Sequence, residues 1–200
     1  MEPYHLDIKP GLPAFLKACA HPFRDSLYHH AKKEFDRMNT YFHAPSISTI
    51  ACPLVVAPIA TAPFIRLCGD YRPINSHIGT PQEPIPHVQQ SLAQAAAWKF
   101  FVDLDMTNSF HQIPLDLPSS MLISVSTPWG FFRPKFLPDG VGLASGILQA
   151  IVRNVFADLE NWIILIFDNF LVLDDSYADA TKKLAIVLQR CQLHRLVLKM

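Results

Sequence analysis

The clearest pattern in the chain is two apolar runs, residues 163–167 and 170–173, separated by Asp168-Asn169. Each run has the length and the Ile, Leu, Phe and Val content of a short strand. Asp-Asn tolerates the positive φ of a tight turn, so the pattern predicts a β-hairpin with a carboxylate at its tip. A second strand-like run, residues 100–106, places Asp103 and Asp105 on one face, because strand side chains alternate with period two. Earlier in the chain, Phe23, Leu27, Ala31, Phe35 and Met38 recur at three- and four-residue steps among basic residues, which predicts an amphipathic helix over about residues 22–42. Short strands are expected at 52–57, 64–67, 121–126, 130–136 and from 196 onward. Helices are expected at 88–97, 145–159 and 177–192, the last capped by Asp174-Asp175-Ser176. Residues 1–20 have no clear period and read as an extended arm. Residues 80–86, with three prolines, read as a loop.

Composition narrows the class. Two hundred residues, half of them hydrophobic, suit one domain, or one with an appended arm. The formal net charge of zero gives no support to a nucleic-acid binder, although a local basic groove would suffice. Four scattered cysteines (Cys19, Cys52, Cys68, Cys191) without a CxxC pair suggest reduced thiols, and the N-terminus shows no signal-peptide pattern. Together these point to an intracellular, cytoplasmic or nuclear protein that is not secreted. The uncharged stretch 44–65 is broken by four prolines, which argues against a membrane helix.

Two strand-borne carboxylate sites far apart in sequence suit a shared divalent metal, since Mg²⁺ takes oxygen ligands and usually one or two carboxylates plus substrate phosphates. The plain alternative is that Asp-Asn is only a turn. Asp70, Arg72 and Asn75 form a charged cluster at a strand end. They make either an internal Asp–Arg pair that shapes a turn or, with Arg66, a place to meet phosphate. The loop at residues 137–146, rich in glycine, lets backbone approach a ligand closely.

In order, these pieces resemble the fingers and palm of a reverse transcriptase of the long-terminal-repeat retrotransposon type. Arg66-Leu67-Cys68-Gly69-Asp70-Tyr71-Arg72-Pro73-Ile74-Asn75 resembles a fingers strand, and Pro84-Ile85-Pro86 with the following helix resembles the segment after it. Asp105-Met106-Thr107-Asn108-Ser109-Phe110-His111-Gln112-Ile113 resembles the first palm motif. Leu137-Pro138-Asp139-Gly140 through Gln149 resembles the substrate-side loop and helix, and Ile166-Phe167-Asp168-Asn169 stands where the family has an aromatic residue, any residue and two aspartates. The match covers about residues 50–200.

The resemblance implies an α+β fold of polymerase right-hand type: an antiparallel sheet with helices packed on one face and the thumb missing. It divides the chain into an N-terminal arm and helix (1–49), a fingers region (50–98) and a palm region (99–200). It implies an RNA-directed DNA polymerase, a nucleotidyltransferase working on an RNA/DNA template-primer and deoxynucleotide triphosphates with two Mg²⁺ ions, Mn²⁺ being an alternative. Asp105 and Asp168 would ligate both ions, and Asn169 would stand in the catalytic pair. Arg66 and Arg72 would meet phosphate, and Lys199 is a candidate proton donor to pyrophosphate. Phe110 would exclude a ribose 2′-hydroxyl or pack in the core, and Asp139, Gly140 and Gln149 would lie near template or incoming base.

The chain departs from the pattern at Asn169, a neutral amide where the second aspartate is usual, at Ile166, and at Ile59-Ala60, where a lysine is usual. Asp103 lies two residues, about 7 Å, along the strand from Asp105 and is a weak substitute. The register Asp174-Asp175 lies six residues farther from Asp105 along the chain and is better explained as a helix cap. Catalysis is therefore expected to be weakened or lost, and the alternative is a non-catalytic palm relic that binds nucleic acid or a partner.

Overall fold

The structure, a computed structural model, describes residues 1–61, 64–79, 88–166 and 168–199. The expected proline-rich loop at 80–86 lies outside the described residues. In chain order the elements are β1 (Leu16–Lys17), α1 (Asp25–Asn39), β2 (His43–Pro45), β3 (Ile50–Pro58), β4 (Ile65–Gly69), α2 (Arg72–Asn75), α3 (Val88–Ala95) and β5 (Phe100–Asp105). A 3₁₀ turn at Ser109–Gln112 follows, then α4 (Leu117–Leu122), β6 (Val125–Thr127), β7 (Gly130–Pro134) and α5 (Ala144–Phe156). The chain closes with β8 (Ile163–Ile166), β9 (Asn169–Asp174) and α6 (Tyr177–His194). The fold is α+β, as expected. No described helix is long and apolar enough to cross a membrane.

The chain forms two compact units. One, the hairpin unit, contains Pro81–Gln112 and Ser145–Met200; the other, the arm unit, contains Glu2–Thr80 and Ile113–Ala144. In the hairpin unit the strands run in the order β5-β9-β8 and are all antiparallel. β9 is central, which is why its sequence is a continuous apolar run: Phe170, Val172 and Leu173 are fully buried. Phe156 of α5 packs on Phe170 with ring centroids 5.2 Å apart. Ala95 of α3 joins Ile164 and Leu173 in a cluster edged by Trp98 and Leu171.

The hairpin forms, with one shift in register. The ladder extends to Ile166↔Asn169, so Asn169 opens β9 instead of sitting in the turn. The last helix forms as expected, but its cap differs. Ser176 makes no side-chain cap; Asp174 Oδ1 instead accepts from the Ser176 N–H at 2.9 Å.

In the arm unit the strand order among the described residues is β1-β3-β6-β7-β2, with β4 also on β3. The sheet is mixed: β1 and β6 run parallel to β3, whereas β3–β4, β6–β7 and β7–β2 are antiparallel. The amphipathic helix is present as α1, with Ala31, Phe35 and Met38 buried at the predicted spacing. Phe35 stacks on His43 and meets Trp129 and Phe132, each at 4.9 Å. The arm is extended, but it is also bound down. Tyr4 N–H donates to Pro114 at 2.7 Å, Leu6 is 2% exposed with its N–H on Ser119 Oγ at 2.7 Å, and Ile8 bridges Ile78.

The strand expected at 121–126 is corrected. Residues 117–122 are helix, and the strand starts only at Val125. The cause lies just upstream: Asp116 caps the helix by accepting from Ser119 N–H at 2.9 Å, and Pro118 sits in its first turn.

Candidate active site

The acidic site of the hairpin unit is assembled by ladder register. β5 ends at Asp105, which pairs directly with Asn169 across the β5–β9 ladder. The next residue, Met106, donates its N–H to the carbonyl of Asp168 at 2.9 Å. Asp105 and Asp168 are therefore brought to neighbouring backbone positions at one end of the sheet. Both are half-buried, and Asn169 is exposed. Asp103 is exposed and stands opposite Leu171, one pleat away from this end.

Lys199 joins the same cluster. Its backbone N–H donates to the Asp105 carbonyl at 2.7 Å, and its Nζ lies 3.5 Å from Asp105 Oδ2. Both side chains are open to water, so this ion pair contributes little to stability. Leu198, in the segment expected to start a strand, makes a single bridge to Met106.

Phe110 lies half-buried in the 3₁₀ turn that follows β5. Gln149 is 2% exposed in α5, and its Nε2 donates to the Leu165 carbonyl at 3.2 Å. That amide serves to hold β8, the first strand of the hairpin, from behind. Gln112, which the sequence offered only as a letter of a motif, is engaged three times. Its Nε2 donates to Thr107 O (2.6 Å) and Val197 O (2.9 Å), and its Oε1 accepts from Val197 N–H (2.8 Å).

The remaining candidates belong to the arm unit. Arg66 is exposed on β4, opposite Ala57, and makes no ion pair among the described residues. The guanidinium of Arg72 forks onto Asp70 at 2.7 and 2.6 Å, and these bonds hold the Asp70 carboxyl below its ordinary value. The internal Asp–Arg pair expected as one reading of that cluster is present. Asn75 clamps the glycine-bearing loop, with Nδ2 donating to Gly140 O (3.1 Å) and Oδ1 accepting from Gly142 N–H (3.0 Å). Gly140 has φ +93°, and a Cβ there would lie 2.9 Å from the Gly69 carbonyl, so glycine is required. Asp139, beside it, is half-buried.

As a cation site, the sheet end offers two carboxylates and one neutral amide. Among the described residues, no group of three or more His, Cys, Asp or Glu could hold a metal. Two carboxylates suffice for Mg²⁺ when substrate phosphate oxygens complete the shell, so the residues present fit such an ion.

Known proteins bear on this arrangement. The family described as reverse transcriptase (RNA-dependent DNA polymerase) matches residues 63–200. The retrovirus-related Pol polyprotein from transposon 412 of Drosophila melanogaster is 32% identical over 160 residues, which are 77% of this chain and 13% of that protein. The transposon Tf2-7 polyprotein of Schizosaccharomyces pombe is 24% identical over 149 residues, 74% of this chain and 11% of that protein. The chain thus spans about an eighth of the length of these relatives.

Among solved structures, the foamy viral protease-reverse transcriptase in complex with RNA/DNA hybrid has a TM-score of 0.86 at 16% identity, covering 100% of this chain and 26% of that one. A selenomethionine-labelled CSH mutant of the prototype foamy virus enzyme gives 0.85 at 19% identity, covering 99% and 26%. The sequence match over most of the chain and the likeness in fold agree: this chain belongs to the reverse transcriptase (RNA-dependent DNA polymerase) family.

Proposed function

We propose that the chain is the fingers (50–98) and palm (99–200) portion of an RNA-directed DNA polymerase, and that Asp105 and Asp168 are its catalytic carboxylates. The single observation that carries this reading is the pairing at the sheet end. Asp105 faces Asn169 in register, and Met106 is bonded to Asp168, so two acids more than sixty residues apart meet on stiff strands. Asp105 and Asp168 would hold divalent cations, Mg²⁺ or Mn²⁺, shared with the phosphates of a deoxynucleotide. Such cations supply activation of the primer 3′-hydroxyl and charge stabilisation at the α-phosphate.

The protein's own groups do the positioning. Buried Phe170 and Val172 seat β9, and Gln149 bonds to Leu165 of β8, so both strands of the hairpin would support Asp168 beside Asp105. Arg66, exposed on β4, would meet the triphosphate, and Lys199 would donate a proton to the departing pyrophosphate. Asp139, on the loop held by Asn75, would approach the template or incoming base. An RNA/DNA duplex as partner is supported by the fold likeness to a foamy viral enzyme in complex with such a hybrid.

Asn169 favours a second reading, a palm that keeps the fold and has lost most of the chemistry. A neutral amide directly opposite Asp105 is a poor ligand for a hard cation. Primer extension with Mg²⁺ or Mn²⁺, on this chain and on Asn169→Asp, separates the two. Extension by both supports a tolerated asparagine, and extension gained only with aspartate supports the relic. If neither extends a primer, and neither binds template-primer, the polymerase reading is wrong.

A further inference from the structure

One cluster beside the acidic site is not used by the chemistry above. After β5 ends, the chain turns through Thr107 and the 3₁₀ turn, and Gln112 closes that turn by donating to Thr107 O. The same amide grips Val197 on both of its backbone groups. Val197 O also accepts from Thr107 N–H at 3.0 Å, Leu198 bridges Met106, and Lys199 N–H donates to Asp105 O. Residues 197–199 are thus laid along the end of β5. Their backbone carries Lys199 to within 3.5 Å of Asp105 Oδ2.

The segment follows the αL residue Arg195 (φ 59°) that ends α6 and the buried Leu196; within it Val197 is 57% exposed and Leu198 half-buried, so burial of its own side chains holds it only in part. Of the bonds named above, the Gln112 side chain makes two to Val197 and a third to Thr107. An amide is the side chain such a clasp needs, because it must donate twice and accept once, which neither a carboxylate nor an ammonium can do.

We propose that Gln112 is a positioning residue: its side-chain amide fixes residues 197–199 to the end of β5 and so holds the Lys199 ammonium beside Asp105. The placement of Lys199 is local geometry and is independent of catalysis. The consequence for nucleotide addition rests on the polymerase reading.

The test uses the full chain with Gln112→Ala and Gln112→Glu. Glutamate keeps the acceptor for Val197 N–H and loses both donors. Amide hydrogen exchange is followed at Thr107, Val197 and Lys199, with Phe170–Leu173 as the reference for global opening. The expected result for alanine is exchange faster by about tenfold or more at Val197 and Lys199, with Phe170–Leu173 unchanged and glutamate intermediate. Unchanged exchange at Lys199 in the alanine variant overturns the proposal. A rise spread equally over Phe170–Leu173 overturns it too, since that would make Gln112 a general stabiliser; should the alanine variant not fold, glutamate decides by the same two criteria.

Primer extension on the same variants, in the wild-type or Asn169→Asp background, should lose about 10–100-fold in kcat, the scale of an outer partner that orients a reacting group, with KM for template-primer little changed. No extension and no template-primer binding in any background defeats the polymerase reading and leaves the clasp to be judged by exchange.

Discussion

The two ends of β9 carry carboxylates with opposite fates. At one end Asp174 is 8% exposed. Lys183 Nζ sits 2.7 Å from its Oδ2, donates to Leu173 O at 2.9 Å, and lies over the rings of Trp98 and Trp162 at 5.0 and 5.2 Å. Each donor and acceptor there is matched within the protein. At the other end Asp168 and Asp105 are half-buried, Asp105 pairs with the uncharged Asn169, and the ammonium of Lys199 lies 3.5 Å from Asp105. The Asp174 carboxylate is matched by Lys183 and the Ser176 N–H, and removing Lys183 would cost more than the pair itself contributes. The carboxylates at the other end are the ones the proposed function assigns to cation binding.

The sharpest way to break this comparison is to exchange the consequences of neutralising each end. Asp168→Asn should lower primer extension by on the order of 10²–10³-fold, the scale of removing one electrostatic stabiliser of a transition state, with the melting temperature little changed. If extension is lost only on altering Asp174, the ends have been assigned the wrong way round. Asn169→Asp should raise extension by about tenfold or more, measured as initial rate in Mg²⁺, by adding a third oxygen anion where the amide now stands.

Lys183→Met should lower the melting temperature by several degrees, read by circular dichroism, while leaving any extension in place, since it removes the cation partner of Asp174, which is 8% exposed. The smallest effect is in acid. The bond from Lys183 holds the Asp174 carboxyl below its ordinary value of 3.8. A depressed folded-state value gives stability that is present above the ordinary value and lost as pH falls below it. Wild type should therefore lose stability more steeply below about pH 4 than Lys183→Met, in paired thermal melts across that range.

Legibility in the sequence followed the range of the interactions. The hairpin, α1, α5 and α6 were visible because period and turn chemistry are local. The Asp105–Asp168 convergence was expected from the resemblance, while its register, Asp105 on Asn169, comes from long-range pairing that no local pattern encodes. The run Met121–Ser126 looked like strand because its apolar content is neutral between the two states, and the decision was made outside it by Asp116 and Pro118. Arg72 and Gln149 were candidates through the strand-end cluster and the resemblance, and neither source shows the bonds that Arg72 makes to Asp70 and Gln149 to Leu165. Lys183 drew no notice, because a lysine in a helix is ordinary until two indoles are found on either side of it.

The parallel pairing of β3 with β6 has a consequence for how the molecule is made. Cys52 meets Val125, more than seventy positions later, and the chain between them includes the first part of the other unit. A ribosome releasing this chain at 5–20 residues per second makes the β1 and β4 partners of β3 several seconds before β6, so the Cys52–Pro53 part of β3 is the part that waits. During that interval its apolar edge is open to neighbours. A pairing of this sequence separation sets a slow, late step in maturation, and newly made chains are most vulnerable to aggregation just before β6 emerges.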